Sequence, residues 1–452
     1  MERAPARPVA PRQQPLAWKA IGLYLPLAAF ALAAFLVFRD WRGEGAPLPS
    51  PVQVDPGHAE RLAANIAFFE GRVAETNDSL SYNRLTALYL QRLRETGDVS
   101  DVRRAETSAT RSLEVAPGQY AGLVALAQVR IAQHEFTAAE TAAREALALA
   151  PSRADAQAVL GDALMALGRY DAAGDAYRTF LEKAPGSSAF ARMAAYAEVN
   201  GNVPLADQYW RAAIDVDRGD APEASAWARV QLANLLFVTG KTGAARDEYA
   251  LALRVFPGYG PAEAGLGRVA AARGDDDQAI AHYTRAIASV PLPEYVAPLA
   301  DILARSGDER GAARQAALMS AFDQLFAANG IKNDLTLILF DLDHGGDTGR
   351  ALDLARAAYA ERPSLAAADT YAWALYRAGQ LDEARAKAEV ALSRGTREPL
   401  FLYHAGAIAF AQGDDGAAAG WLQQVRELNP AFSVQHQNEA ARLLAQAKER
   451  AK

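Results

Sequence analysis

Cysteine is absent from the 452 residues, and its absence removes disulfides, thiolate metal sites, thiol nucleophiles and cysteine redox chemistry together. Aromatic residues are scarce at 8%, and alanine makes up much of the 51% hydrophobic share. That balance suits closely spaced helices and excludes an all-β fold. Basic charge is in deficit, with 47 Lys and Arg against 54 Asp and Glu and a net charge of −7, which argues against a general nucleic-acid binder. Histidine is thin as well. The six residues His58, His134, His282, His344, His404 and His436 show no metal-ligand spacing, and none has a sequence partner that would make it a general base. Catalysis therefore has no nucleophile–base pair, metal cluster or phosphate cradle to rest on, and the sequence implies no enzyme and no cofactor.

The charge is unevenly placed. Residues 1–42 hold six Lys and Arg against two Asp and Glu, a balance of +4, which leaves −11 for the other 410 residues. Ala20–Phe38 is a nineteen-residue run without a charge between Lys19 and Arg39; as a helix it would span roughly 28 Å, close to a bilayer core. We read 20–38 as a transmembrane signal anchor and 1–19 as a basic cytoplasmic tail. Arg3, Arg7, Arg12 and Lys19 outnumber Arg39 and Arg42 across the run, which directs the body to the outer face of a bacterial cytoplasmic membrane. The competing reading is a signal peptide cleaved at Ala31-Leu32-Ala33, giving a secreted protein. Residues 39–57, with Pro47, Pro49, Pro51 and Pro56, read as an extended linker.

The rest of the chain is periodic. Prolines stand at 117, 151, 185, 257, 291, 363 and 430, so the unit is 34 residues or close to a multiple of it. Twelve residues before each lies an alanine: Ala105, Ala139, Ala173, Ala245, Ala279, Ala351 and Ala418. Seventeen before, five of the seven have glycine: Gly168, Gly240, Gly274, Gly346 and Gly413. The pattern describes a helix, a turn that needs left-handed dihedrals, a second helix with a small contact residue, and a proline stop. No single pair buries its apolar face, so the pairs must stack.

These residues resemble the tetratricopeptide repeat family, most clearly where Leu160-Gly161, Leu164, Gly168-Arg169-Tyr170, Ala173, Tyr177, Phe180 and Pro185 follow one another. Residues 226–257 and 260–291 repeat the pattern. The resemblance covers roughly 80–452 and implies an all-α solenoid, a right-handed superhelix of antiparallel helix pairs. A run from Ala316 through Phe322 to Phe326 lengthens one second helix before Asn329-Gly330. It divides an N-terminal array, 58–330, from a C-terminal array, 331–432, and 433–452 reads as a capping helix.

Several motifs dissolve on inspection. Gly240-Lys241-Thr242 lacks the upstream glycine of a phosphate-binding loop, since Leu235 stands there. Gly265-Leu266-Gly267-Arg268-Val269-Ala270 imitates a dinucleotide fingerprint, but its small residues fall where neighbouring helices press together. Asp341 to Asp347 opens like a calcium loop whose twelfth position is Leu352 in place of the bidentate glutamate.

The resemblance places first helices along a concave groove and implies that it binds protein or peptide segments. On those helices the aromatics Phe340, Trp373, Tyr376, Tyr403 and Phe410 form the expected partner surface, with Trp227, Val230, Asn234, Phe237 and Arg268 as a second patch. The family's carboxylate-clamp positions here hold Val230, Asn234, Ala264 and Arg268, an incomplete clamp. The expected function is a membrane-anchored scaffold that organises other proteins, with no small-molecule substrate. The alternative is an import or chaperone receptor facing the cytoplasm.

Overall fold

The computed structural model describes residues 56–216, 222–329, 331 and 334–451. The tail, the anchor and most of the linker lie outside these residues, and no helix among those described is long and apolar enough to cross a membrane. Pro56 and Gly57, read above with the linker, open the first helix.

The described residues form 22 helices and no strand. Helix α1 (Pro56–Thr76) precedes ten antiparallel pairs. They are α2 (Ser79–Thr96) with α3 (Ser100–Val115), α4 (Tyr120–Ala132) with α5 (Phe136–Leu149), and α6 (Asp155–Ala166) with α7 (Tyr170–Lys183). Next come α8 (Ser187–Val199) with α9 (Val203–Asp215), α10 (Pro222–Val238) with α11 (Thr242–Val255), and α12 (Gly260–Ala272) with α13 (Asp276–Ser289). The array continues with α14 (Pro293–Ser306) and α15 (Glu309–Ala328), then α16 (Leu335–Asp343) and α17 (Thr348–Glu361). It ends with α18 (Leu365–Arg377) and α19 (Leu381–Leu392), α20 (Pro399–Ala411) and α21 (Asp415–Leu428), and a final α22 (Gln437–Arg450). Substantial helix packing runs only between helices one or two places apart along the chain.

The local chemistry explains each pair. At the turns Gly168, Gly240, Gly274 and Gly413 have φ between 69° and 78°, and His134 takes the same left-handed conformation, at 61°, in the pair that lacks the glycine. The α16–α17 turn departs from the spacing: Gly345 carries the positive φ of 75°. Its neighbour Gly346 is needed for space, because a Cβ there would lie 2.9 Å from the Asp341 carbonyl oxygen. The next residue often caps the second helix, as where Asp275 accepts from the Gln278 N–H at 3.1 Å and Asp414 from that of Ala417 at 3.0 Å. The seven periodic alanines are all 0–1% exposed. Close approach also requires Gly161, where a Cβ would meet the Tyr177 ring at 2.3 Å, and Gly265, which faces the Tyr249 ring at 2.2 Å. The fingerprint-like glycine is thus a seat for a tyrosine.

Helix α15 is 20 residues long, and Met319, Phe322 and Phe326 bury its extra turns. The boundary read at residue 330 falls outside the described residues. At the other end α22 covers α21 with Ala440, Leu443, Leu444 and Ala447 and leaves a polar outer face.

The coil closes on itself. The Tyr170 hydroxyl accepts from the Leu365 N–H at 2.7 Å, although the two are 195 residues apart. Arg394 donates from Nε to the Asn200 side chain at 3.0 Å, 194 residues away, and from Nη2 to Asp171 at 2.6 Å. Asn429 donates to the Phe237 carbonyl at 2.8 Å, 192 residues away. The separations of 192–195 residues lie between five and six 34-residue repeats, and that of Arg394 from Asp171 is 223, so the contacts join successive turns of the superhelix. Each contact sets a turn within one pair against the loop that follows a later pair. Gly168 lies against Pro363, Gly201 against Gly395 and Gly240 against Leu428, each so tightly that a Cβ would fall 2.0–2.4 Å from a carbonyl oxygen.

Candidate partner-binding lumen

First helices face inward, and their side chains border a lumen that holds a cavity of about 660 Å³. One wall comes from α10, where the helical period brings Trp227, Val230 and Asn234 to one face, and α12 adds Arg268. Trp227 is 40% exposed, an unusual exposure for the largest apolar side chain, and its ring packs edge-on against Trp210 at 5.5 Å. Arg268 is half-buried and borders the cavity. It donates from Nη2 to Asn234 at 2.6 Å and to the Tyr249 hydroxyl at 2.7 Å, and its guanidinium lies 4.3 Å from the Phe237 ring centre. The two polar residues at the clamp positions are therefore bonded to each other through the Arg268 Nη2, while its Nε is buried without a hydrogen-bond partner.

Carboxyls also line the cavity, Glu223 from the first turn of α10 and Glu294 from that of α14. Glu223 lies 3.8 Å from Arg94 and takes a long 3.4 Å bond from the Tyr259 hydroxyl. Burial raises the pKa of Glu223 and, more simply, that of Glu294, which no cation offsets. A second cavity of about 320 Å³ lies beyond Arg268 and is bordered by Phe340, Glu398, His404, Phe432 and His436. Burial raises Glu398 too, against the opposing pull of the Leu400 N–H and Arg268.

Three histidine–aspartate pairs gather about this second cavity: His344 with Asp301 at 2.7 Å, His404 with Asp369 at 2.9 Å and His436 with Asp343 at 3.0 Å. Burial works to lower the pKa of His344, but the bond to Asp301 and that carboxylate's charge outweigh it, and the net direction is up. No group of three or more His, Asp or Glu among the described residues is arranged to hold a metal ion.

The expected partner residues divide by place. Trp227, Val230, Asn234 and Arg268 line the large cavity, and Phe340 and Arg268 border the smaller one. Phe237, 1% exposed, lies beneath Arg268 in the core. Trp373 and Tyr403 are each 3% exposed and belong to a ring stack between α16, α18, α20 and the segment before α22. Trp373 lies flat on His404 at 4.1 Å and on Tyr376 at 4.8 Å and donates to Asp343 at 2.8 Å. Tyr376 and Phe410 are half-buried, the latter beneath Arg450. Sequence reasoning missed Tyr283, a second-helix residue that lines both cavities, Tyr249, whose buried hydroxyl accepts from Arg268, and the lumen glutamates. The tyrosines had a signal, recurring at one repeat position 34 residues apart beside a glycine; the glutamates had none.

The tetratricopeptide repeat model matches residues 124–188, 230–292 and 371–431. Those segments are tetratricopeptide repeats. Similar solved structures include yeast Tom70, with 14% identity over 87% of this chain and 93% of that one and a TM-score of 0.37. Pseudomonas aeruginosa PilF is similar at 21% identity over 53% of this chain and 96% of its own, with a TM-score of 0.34. YrrB, described as a TPR protein with an unusual peptide-binding site, shares 20% identity over 40% of this chain and 91% of its own, at a TM-score of 0.28. No curated protein matches the chain.

Proposed function

We propose that this protein is a non-catalytic scaffold that binds a segment of another protein within the lumen of its repeat superhelix and is tethered by residues 20–38 to a bacterial cytoplasmic membrane, with the repeats outside the cytoplasm. The observation that carries the binding reading is the exposed Trp227 beside Val230, Asn234 and Arg268 on the wall of the large cavity. Tryptophan and arginine around a concavity are residue types that dominate binding energy. The apolar Val230 and Ala264 at the other clamp positions weigh against a receptor for acidic chain termini. The basic excess before residue 20 supports the orientation.

The test is crosslinking in native membranes with a photoreactive residue in place of Trp227, with Trp227→Ala melted alongside. Specific capture that Arg268→Ala abolishes at an unchanged melt supports the reading. Equal capture by a photoreactive residue at the outward-facing Leu149 removes it. The orientation is tested by fusing after Lys452 a reporter active only outside the cytoplasm; an inactive reporter reverses the assignment.

A further inference from the structure

The contacts between successive turns of the coil differ in kind from those that hold the stack. Within the stack, helices bury alanine and aromatic side chains against neighbours one and two places along the chain, and no substantial helix–helix packing links one turn of the coil to the next. What joins the turns along α6–α11 is a line of loop-on-loop contacts: Tyr170 with Leu365, Arg394 with Asn200 and Asp171, and Asn429 with Phe237. Polar bonds carry these contacts, and although those of Tyr170 and Asn429 are buried while the seam is closed, water can take over their groups on separation. Asp171 is 83% exposed in its side chain, so its ion pair with Arg394 is weak and screened by salt. A stack with strong neighbour contacts and a weak polar seam can open along the seam while every helix pair stays folded.

The seam also decides access. While it is closed, the lumen has a side wall, and a segment held at both ends within a folded partner cannot enter laterally. We propose that this seam is a gate: the superhelix binds its partner by parting the contacts of Arg394, Tyr170 and Asn429 and closing around the bound segment. The proposal rests on the lumen being the binding surface. Its test uses no partner, so its failure leaves that surface standing and the two failures are distinguishable.

Because the chain has no cysteine, a single thiol can be placed in the lumen with Gln231→Cys, a position that lines the large cavity. Its reaction with a small methanethiosulfonate and with a maleimide carried on a folded protein would be timed in the full chain, with and without Arg394→Ala and Tyr170→Phe. The expected result is an increase of at least ten-fold in the rate with the large reagent in the seam variants, with the small-reagent rate within two-fold. An unchanged ratio of the two rates overturns the gate. A second measurement guards against a variant that is simply less stable. Spin labels at Asp175→Cys and Ser393→Cys, exposed positions on the two sides of the seam, would report distances with Arg394 intact and with Arg394→Ala. A longer and broader distribution in the variant supports opening, and identical distributions overturn it.

Discussion

Glu198 shows how the enclosed interior acts on a single carboxyl. Burial pushes its pKa from 4.5 up to about 7, the bond from the Trp210 indole works against that shift, and Glu398 on the next turn adds to it. The folded protein therefore holds a proton between about pH 4.5 and 7 that the unfolded chain has released. Stability falls as pH rises through that window and levels off above it. Glu198→Gln should flatten this slope and stabilise the protein at pH 8, by at most about 3 kcal/mol; urea titrations of both proteins at pH 5 and pH 8 would check it, and parallel pH dependences would remove Glu198 as the cause. The ring stack gives a second prediction at this scale. Trp373 is flanked by His404, Tyr376 and Tyr403 and hydrogen-bonded to Asp343, so Trp373→Ala is expected to cost about 3–5 kcal/mol as seen by denaturant unfolding. A loss below about 1 kcal/mol, small for a well-packed site, would mean that the ring is not part of the core.

At the scale of the helix pair the sequence was informative because every constraint is local. Proline cannot continue a helix, glycine takes the left-handed turn and alanine permits close approach, and all three recur at fixed offsets, so the pairs could be read from spacing alone. The reading slipped by one residue at Gly345-Gly346, where either glycine satisfies the pattern and only the packing of Gly346 against Asp341 assigns the roles. It was least informative for aromatics, since first-helix position alone does not separate a ring that faces the lumen, such as Trp227, from one caught between successive first helices, such as Tyr403. The contact alanines give the prediction for this scale. Ala245 is 0% exposed between α10 and α11, so Ala245→Leu overpacks the pair and should cost about 1–3 kcal/mol. A melting curve like that of the parent would show that α10 and α11 can part without penalty.

At the scale of the whole molecule the seam was invisible in the sequence, because residues nearly two hundred apart, such as Asn429 and Phe237, share no periodic or compositional signal. It follows from the rotation between successive pairs, which accumulates until a turn meets a loop. Its effect on stability separates two descriptions of the array. In a one-dimensional stack each pair draws stability from its neighbours, and damage at one end fades with distance. The seam adds contacts whose loss bares the seam ends of the middle pairs while the pairs themselves stay folded. Truncation before Ser433 removes α22 and exposes the face of α21 that Leu443 and Leu444 cover, each 5% exposed in the intact chain; losing those two side chains should cost on the order of 3–6 kcal/mol. Hydrogen exchange read helix by helix should then show α20 and α21 losing most protection. The C-terminal end of α10, which Asn429 covers at Phe237, should lose protection locally while its pair stays folded, and α4 and α5 should keep theirs. If that end of α10 lost no more than α4 and α5, the stack would be purely nearest-neighbour and the seam would contribute nothing to holding it together.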